Sequence, residues 1–132
     1  MLFTKCIVAP MDPGDGTRIS IMSRHSLNDG KTPDPAITLK SYDKWQKELS
    51  PKEETLSLYL QKKITFDSFR ELYVFKLFNE AATYQAVRGI ITLAKKQNVT
   101  LLCIEESPKF CHRRILAEVC SRLDRELMIK IA

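Results

Sequence analysis

The sequence predicts a single compact α/β domain, spanning residues 1–132, with a small, mostly parallel sheet flanked by helices. Two observations predict this class. Short runs of β-branched and apolar residues alternate with longer segments in which apolar residues recur at helical spacing. The run at residues 99–104 is continuously apolar, which is typical of a central parallel strand covered on both faces. With 44% hydrophobic and 28% charged residues, a chain of this length suits one globular domain.

Four strands are predicted, at residues 3–8, 18–22, 99–104 and 127–131. The first two are separated by a segment rich in Pro, Gly and Asp. They therefore form either a hairpin or two strands parted by an excursion of the chain. Because helical segments connect the later strands, right-handed crossovers and an at least partly parallel sheet are expected.

Three helix starts with a predicted capping residue lie between the second and third strands. Ser41 is expected to cap a short helical segment that holds Tyr42, Trp45 and Leu49. Ser50 and Pro51 have the residue types of an N-cap and a first helical position, and Glu53 is placed to close a capping box. Thr65 is expected to cap the next helix, whose apolar residues are Phe66, Phe69, Leu72, Tyr73 and Leu77.

The two clearest helical patterns are residues 81–96 and 111–125. Each has a stripe of apolar residues that is expected to face the core. The stripe is formed by Val87, Ile90, Ile91 and Ala94 in the first helix and by Ile115, Leu116, Val119, Cys120 and Leu123 in the second.

The formal net charge is +5, from 21 Lys and Arg against 16 Asp and Glu. This mild excess permits an anionic partner, either a small molecule or a nucleic acid, without requiring one. The aromatic residues that follow Thr65 recur at helical spacing, so they are expected to pack in the core rather than to stack on bases. The sequence predicts no cofactor and assigns no oligomeric state.

The cysteines, Cys6, Cys103, Cys111 and Cys120, are expected to be reduced. Cys103 lies in an apolar strand and Cys120 on the apolar face of a helix, which are settings typical of free, buried thiols. The first residues lack the pattern of a signal peptide, and no apolar run approaches the ~20 residues of a membrane span. A cytoplasmic protein that does not enter a membrane is therefore expected.

The segment from Thr100 to Arg114 is the strongest candidate for a functional site. Its apolar strand ends at two carboxylates, turns at a Ser-Pro pair and enters a helix through a thiol, an imidazole and two guanidinium groups. These side chains are Glu105, Glu106, Cys111, His112, Arg113 and Arg114. If the strands ending at Met22 and Ile104 are parallel neighbours, their carboxyl ends meet at one edge of the sheet. Arg24 and His25 would then face the same crevice.

Each of these residue types has a plausible chemical role. Cys111, in the first turn of a helix, is expected to be a nucleophile, a redox thiol or a structural thiol. His25, His112 and Glu105 are candidates for acid–base catalysis. The guanidinium groups of Arg24, Arg113 and Arg114 suit an anion. The cluster also fits a purely structural role, in which the two glutamates pair with Arg113 or Arg24 as an ion-pair latch.

Several known types of site are disfavoured by the sequence. A phosphatase or rhodanese loop would need an arginine about six residues after the cysteine, where Leu116 and Ala117 stand instead. No Gly-rich phosphate loop and no Gly-x-Ser-x-Gly motif occurs. A zinc site formed by Cys103, Cys111 and the histidines is weakly indicated, because the cysteines lie eight positions apart and Cys103 is expected to face the core. No metal is therefore predicted.

Two parts of the sequence resemble the DUF488 family, an uncharacterised family of bacteria, archaea and their viruses. These are Ser23-Arg24-His25 with Leu27-Asn28-Asp29-Gly30, and Leu101-Leu102-Cys103-x-Glu105 with Pro108-x-x-Cys111-His112-Arg113. Tyr42, Trp45, Leu49-Ser50-Pro51 and Phe69-x-x-x-Tyr73 fit the family as well. The resemblance implies a small α/β domain with site positions at Arg24, His25, Glu105, Cys111, His112 and Arg113.

The leading interpretation is a small enzyme acting on an anionic substrate, a nucleotide or nucleic acid. Its pocket would be built from the Ser23–Gly30 loop and the Glu105–Arg114 turn. A non-catalytic anion-binding or nucleic-acid-binding module and a structural latch are the alternatives.

Overall fold

The computed structural model describes residues 1–27 and 29–132; Asn28, part of the predicted Asn-Asp-Gly turn, lies outside the described residues. The strands are β1 (Leu2–Cys6), β2 (Thr17–Ser20), β3 (Lys44–Trp45), β4 (Val99–Cys103) and β5 (Ile129–Lys130). The helices are α1 (Glu53–Leu60), α2 (Phe66–Asn79), α3 (Ala81–Lys96) and α4 (His112–Leu123). Short 3-10 turns lie at Pro13–Asp15, Lys47–Leu49 and Pro108–Phe110.

The described strands form one sheet in the order β3-β2-β4-β1-β5. Every pairing in it is parallel. The predicted α/β class is therefore confirmed, with a sheet that is parallel throughout rather than mostly so. The hairpin alternative for the first two strands is wrong, because β4 lies between β1 and β2 and pairs with both. The expected parallel neighbours, β2 and β4, are confirmed.

The main hydrophobic core packs one face of the sheet against the helices. Strand residues Ile19, Val99 and Leu101 contribute to it from the sheet side, and each is 1% exposed or less. The opposite face is covered by the segments that connect the strands. There Arg18 is held by the Pro13–Asp15 turn and by the carbonyl of Ser41, to which its Nε donates at 2.9 Å.

The predicted short helix after Ser41 is wrong. Residues Lys44–Trp45 instead form β3 at the edge of the sheet, followed by the turn at Lys47–Leu49. The indole Nε1 of Trp45 donates a 2.7 Å hydrogen bond to the carbonyl of Met22, just beyond the end of β2. This contact between distant residues helps to hold the segment extended, against its helical spacing.

The predicted helix start at Ser50 is also wrong by a few residues. Helix α1 begins at Glu53, and Lys52 is at its N-cap position without a side-chain capping bond. The Ser50 hydroxyl instead donates a 2.7 Å hydrogen bond to the carbonyl of Lys47 and closes the preceding turn. Ser50 thus caps the end of the Lys47–Leu49 turn and lies before the start of α1.

The remaining helices follow the predicted patterns closely. Thr65 caps α2 by accepting from the backbone amide of Ser68. Leu72, which was grouped with the apolar residues of α2, is 46% exposed. Helix α3 has the predicted bounds, and α4 is slightly shorter than predicted. In the described part of the chain, no helix has both the length and the apolar character needed to cross a membrane.

Candidate functional site

A cavity of about 210 Å³ lies beyond the carboxyl ends of β2 and β4, against α1 and α2. Its walls come from the two segments that the sequence singled out and from helices between them. It is lined by Met22, Ser23, Arg24, Ser26, Leu27, Pro51, Leu56, Tyr59, Leu60, Phe69, Cys103, Ile104, Glu105, Phe110, Cys111 and His112. The segments that follow β2 and β4 therefore lie together at one edge of the sheet, as expected.

Four of the predicted site residues line this cavity: Arg24, Glu105, Cys111 and His112. Arg24 and Glu105 are exposed, whereas Cys111 and His112 are 2% and 8% exposed. The cavity therefore has a charged, solvent-facing end and a buried end that carries sulfur and imidazole. Glu106, the neighbouring carboxylate, is not part of its wall.

Cys103 joins the buried end of the cavity, although the sequence predicted that it faces the core and indicated it only weakly as a ligand. It is the last residue of β4 and is 4% exposed. The Sγ atoms of Cys103 and Cys111 and a ring nitrogen of His112 all lie within 4.8 Å of one another. The available signal was its position: a residue at the carboxyl end of a central parallel strand borders the site even when it is buried.

The imidazole of His112 is oriented from the back by the residue that follows β2. Its Nε2 lies 2.9 Å from the carbonyl oxygen of Ile21, which can only accept, so this nitrogen carries a proton and donates. In the neutral ring, Nδ1 then has the free lone pair and lies 3.7 Å from the Sγ atom of Cys103. Tyr73 packs edge-on against the same ring at 5.5 Å between centroids.

The pKa values of the two thiols are shifted in opposite directions from the ordinary value of a cysteine. The pKa of Cys111 is raised far above its ordinary value by its hydrogen bond with Cys103 and by burial. The pKa of Cys103 is lowered, chiefly because its sulfur receives the hydrogen bond of the Cys111 thiol, with backbone amides and Arg113 adding to the effect against burial. The contact between the two sulfurs therefore makes Cys111 the weaker acid of the pair and Cys103 the stronger.

Arg113 is fully buried beneath the turn between β4 and α4. Its Nη1 donates to the carbonyl of Glu105 at 2.6 Å and lies 3.4 Å from the Sγ of Cys111. Its Nη2 donates to the carbonyl of Glu106 at 3.3 Å, and its Nε to that of Ala132 at 3.1 Å. The guanidinium is therefore directed at backbone oxygens and sulfur, and it is not part of the cavity wall.

Arg114 and His25 also lie away from the cavity wall. Arg114 forms an ion pair with Glu118 on α4, with 2.8 Å between Nε and Oε1. The ring of His25 stacks on Trp45 at 4.0 Å between centroids, and its Nε2 lies 2.7 Å from the hydroxyl oxygen of Ser20. Burial lowers the pKa of His25. The structure does not bring these two side chains to the thiols.

The turn is latched by Arg113, but through backbone carbonyls and not through an ion pair. Among the described residues, the ion pairs include neither Glu105 nor Glu106. Both carboxylates are exposed, and that of Glu105 borders the cavity. Its carboxylate is thus left available to a ligand.

A sequence model of the family DUF488-N3a, described as the active DUF488-N3 subclade, matches residues 2–122. The chain belongs to the DUF488 family. The DUF488 match runs from β1 to near the end of α4 and includes every residue that lines the cavity. No curated protein and no solved structure matches the chain.

Proposed function

We propose that this DUF488 protein is an enzyme that acts on an anionic substrate, a nucleotide or a part of a nucleic acid, in the cavity described above. One observation carries the proposal. The cavity combines a solvent-facing cation, Arg24, and a carboxylate, Glu105, with a buried end formed by two thiols and an oriented imidazole. Such a convergence of reactive groups in one concave site is the usual arrangement of an active site.

The size and walls of the cavity suit one ring-sized part of the substrate. About 210 Å³ is smaller than the roughly 300–1,000 Å³ of pockets that hold drug-sized ligands. Tyr59, Phe69 and Phe110 supply aromatic surface that can contact a flat group such as a nucleobase. The phosphate of such a substrate would then lie outside, where the fork of Arg24 can bind two of its oxygens.

The remaining groups have roles that follow from their position. The exposed carboxylate of Glu105 suits proton transfer to or from the substrate. His112 presents Nδ1 toward the sulfurs, so it acts on the thiols rather than directly on a phosphate. Cys103 and Cys111 line the same cavity with their sulfurs close together, so their proposed role is to act on the ring part of the substrate.

A thermal-shift screen of nucleosides, nucleotides and inorganic phosphate at low salt tests substrate binding, because a ligand of the folded state raises the melting temperature. We expect nucleotides to stabilise the wild type and Arg88→Gln equally, since Arg88 is an exposed arginine on α3. Arg24→Gln should bind at least tenfold more weakly. If no phosphate-bearing compound stabilises the protein, the proposal is wrong.

Mass spectrometry of the incubated ligand then separates an enzyme from a binding module. A changed ligand whose formation is lost in Glu105→Gln supports the enzyme. Recovery of the unchanged ligand from a protein that binds it tightly supports the non-catalytic alternative. Arg88→Gln should convert the ligand at the wild-type rate.

A further inference from the structure

We infer that Cys103, Cys111 and His112 form a binding site for a thiophilic divalent cation of the zinc type, with one coordination position open to the cavity. The inference deepens the proposed function of that cavity and rests on it only for the use of the open position. The binding of the metal itself depends on these three side chains and can be measured without any substrate.

The three ligand atoms already lie close to tetrahedral spacing. Zinc–sulfur bonds of about 2.3 Å and zinc–nitrogen bonds of about 2.0 Å place neighbouring ligand atoms roughly 3.5–3.8 Å apart. The Sγ of Cys103 lies 3.7 Å from Nδ1 of His112. All three atoms lie within 4.8 Å of one another, so shifts of about an ångström or less would complete the geometry.

The imidazole has the orientation that a metal ligand requires. The proton on Nε2 is held by the carbonyl of Ile21, which leaves the lone pair of Nδ1 directed at the sulfurs. Metal-binding histidines usually donate their second ring nitrogen to a carbonyl or carboxylate in this way. His112 has this support from Ile21, which follows β2 and is itself fully buried.

Arg113 places a positive charge beside the sulfurs, which bind metal as thiolates after they lose their protons. Nη1 of Arg113 lies 3.4 Å from the Sγ of Cys111 and can donate to it. The other donors of this buried guanidinium are taken up by backbone carbonyls. Two thiolates would cancel the charge of a divalent cation, so its binding adds no net charge to the buried end of the cavity.

The ligand set indicates both the type of metal and its accessibility. Two soft sulfurs and an imidazole select zinc over magnesium or calcium, which prefer oxygen. Three protein ligands with a free fourth position are typical of catalytic rather than structural zinc sites. All three residues line the cavity, so the fourth position would face the space proposed for the substrate.

Metal content and cobalt binding under reducing conditions test the inference. We expect one zinc ion per chain in protein purified from zinc-supplemented cells. After chelation, Co²⁺ should give thiolate-to-cobalt charge-transfer absorption and be displaced by Zn²⁺. Cys103→Ser, Cys111→Ser and His112→Gln should each weaken Co²⁺ binding at least tenfold. Cys6→Ser should bind as the wild type does, because Cys6 lies on β1 and is not part of this group.

Alkylation of the wild type provides a second measurement that does not depend on the folding of any variant. Zinc should protect Cys103 and Cys111 relative to the chelated protein, and the reaction of Cys6 should be unchanged. Absence of cobalt absorption in the reduced wild type would overturn the inference. The inference would also be wrong if Cys103 and Cys111 form a disulfide and the protein, after its reduction, still does not bind cobalt. The pair would then be a redox dithiol.

Arg24→Gln separates this inference from the proposed function. It should retain full cobalt binding while it loses nucleotide binding. A protein that binds cobalt but no phosphate compound would contradict the proposed function alone. A protein that binds nucleotides at the Arg24 site but no metal would contradict the metal site alone.

Discussion

Nη1 of Arg113 donates a 2.6 Å hydrogen bond to the carbonyl oxygen of Glu105, so a buried cation holds the backbone of the turn that borders the cavity. The next residue, Arg114, points away from it and pairs with Glu118 on the surface of α4. Two adjacent arginines thus have different functions: one supports the turn from within, and the other contributes a surface ion pair.

Arg113→Ala should destabilise the protein by about 3 kcal/mol or more, because it removes a fully buried side chain and its three hydrogen bonds to backbone carbonyls, two of them in the turn. Arg114→Ala should cost less than about 1 kcal/mol, as is usual for exposed ion pairs. Urea unfolding of both variants measures the difference. Equal losses would contradict the assignment of Arg113 to the interior.

Tyr73→Phe should cost about 1–3 kcal/mol at pH 7, because the buried hydroxyl of Tyr73 donates to the carbonyl of Leu49. Burial, with the nearby thiols adding, raises the pKa of Tyr73 well above its ordinary value. The unfolded chain ionises this group near pH 10 and the folded chain does not. The stability gap between wild type and variant should therefore narrow above pH 10 in urea titrations. A constant gap would contradict this placement.

Asp15→Asn should cost about 3 kcal/mol at neutral pH, since it leaves the buried Arg18 without its counter-charge. Burial acts to raise the pKa of Asp15, but hydrogen bonds from Asp12, Lys5 and Arg18 outweigh it and hold the pKa below the usual 3.8. The stability that the ionised Asp15 contributes is present above pH 3.8 and is lost as the pH falls through the lower pKa of the folded state. Denaturant unfolding should show that the difference in unfolding free energy between wild type and Asp15→Asn shrinks in acid. Asp67→Asn, at an exposed position, is the control and should change the unfolding free energy little.

Gly16→Ala should destabilise the protein by about 2 kcal/mol or more. The φ angle of Gly16 is +64°, and an added Cβ would lie 1.9 Å from the carbonyl oxygen of Asn98. Gly89→Ala on the exposed face of α3 should instead stabilise by about 0.5–1 kcal/mol, because nothing lies within 4 Å of the added atom. Thermal melts of the two variants should shift in opposite directions.

Those parts of the fold with a strong local pattern could be predicted from the sequence. Strand β4 is a continuous apolar run and α3 has a clear apolar stripe, and both lie where the pattern predicts. Strand β3 could not be predicted, because it consists of two residues held by pairing with β2 and by the bond from Trp45 to Met22. Contacts of that kind override helical spacing.

The location of the candidate site was predicted more accurately than the environment of each of its residues. Arg24 and Cys111 were expected on the same crevice and line the same cavity. The environment of His25 depends on stacking with Trp45, a contact that sequence spacing does not encode. Cys103 was assigned to the core because it ends an apolar strand, although the end of a strand can be buried and border a cavity at once.

The position of β4 in the middle of the sheet has a consequence for the order of folding. β1 and β2 are close in sequence but do not pair with each other; both pair with β4, where Thr17 is in register with Val99. The sheet therefore cannot assemble until a loop of about 80 residues has closed, which is an entropically costly and slow step. Arg24 and the thiols meet only when β4 has paired with β2, so a chain emerging from the ribosome acquires its cavity only after His112 has been synthesised.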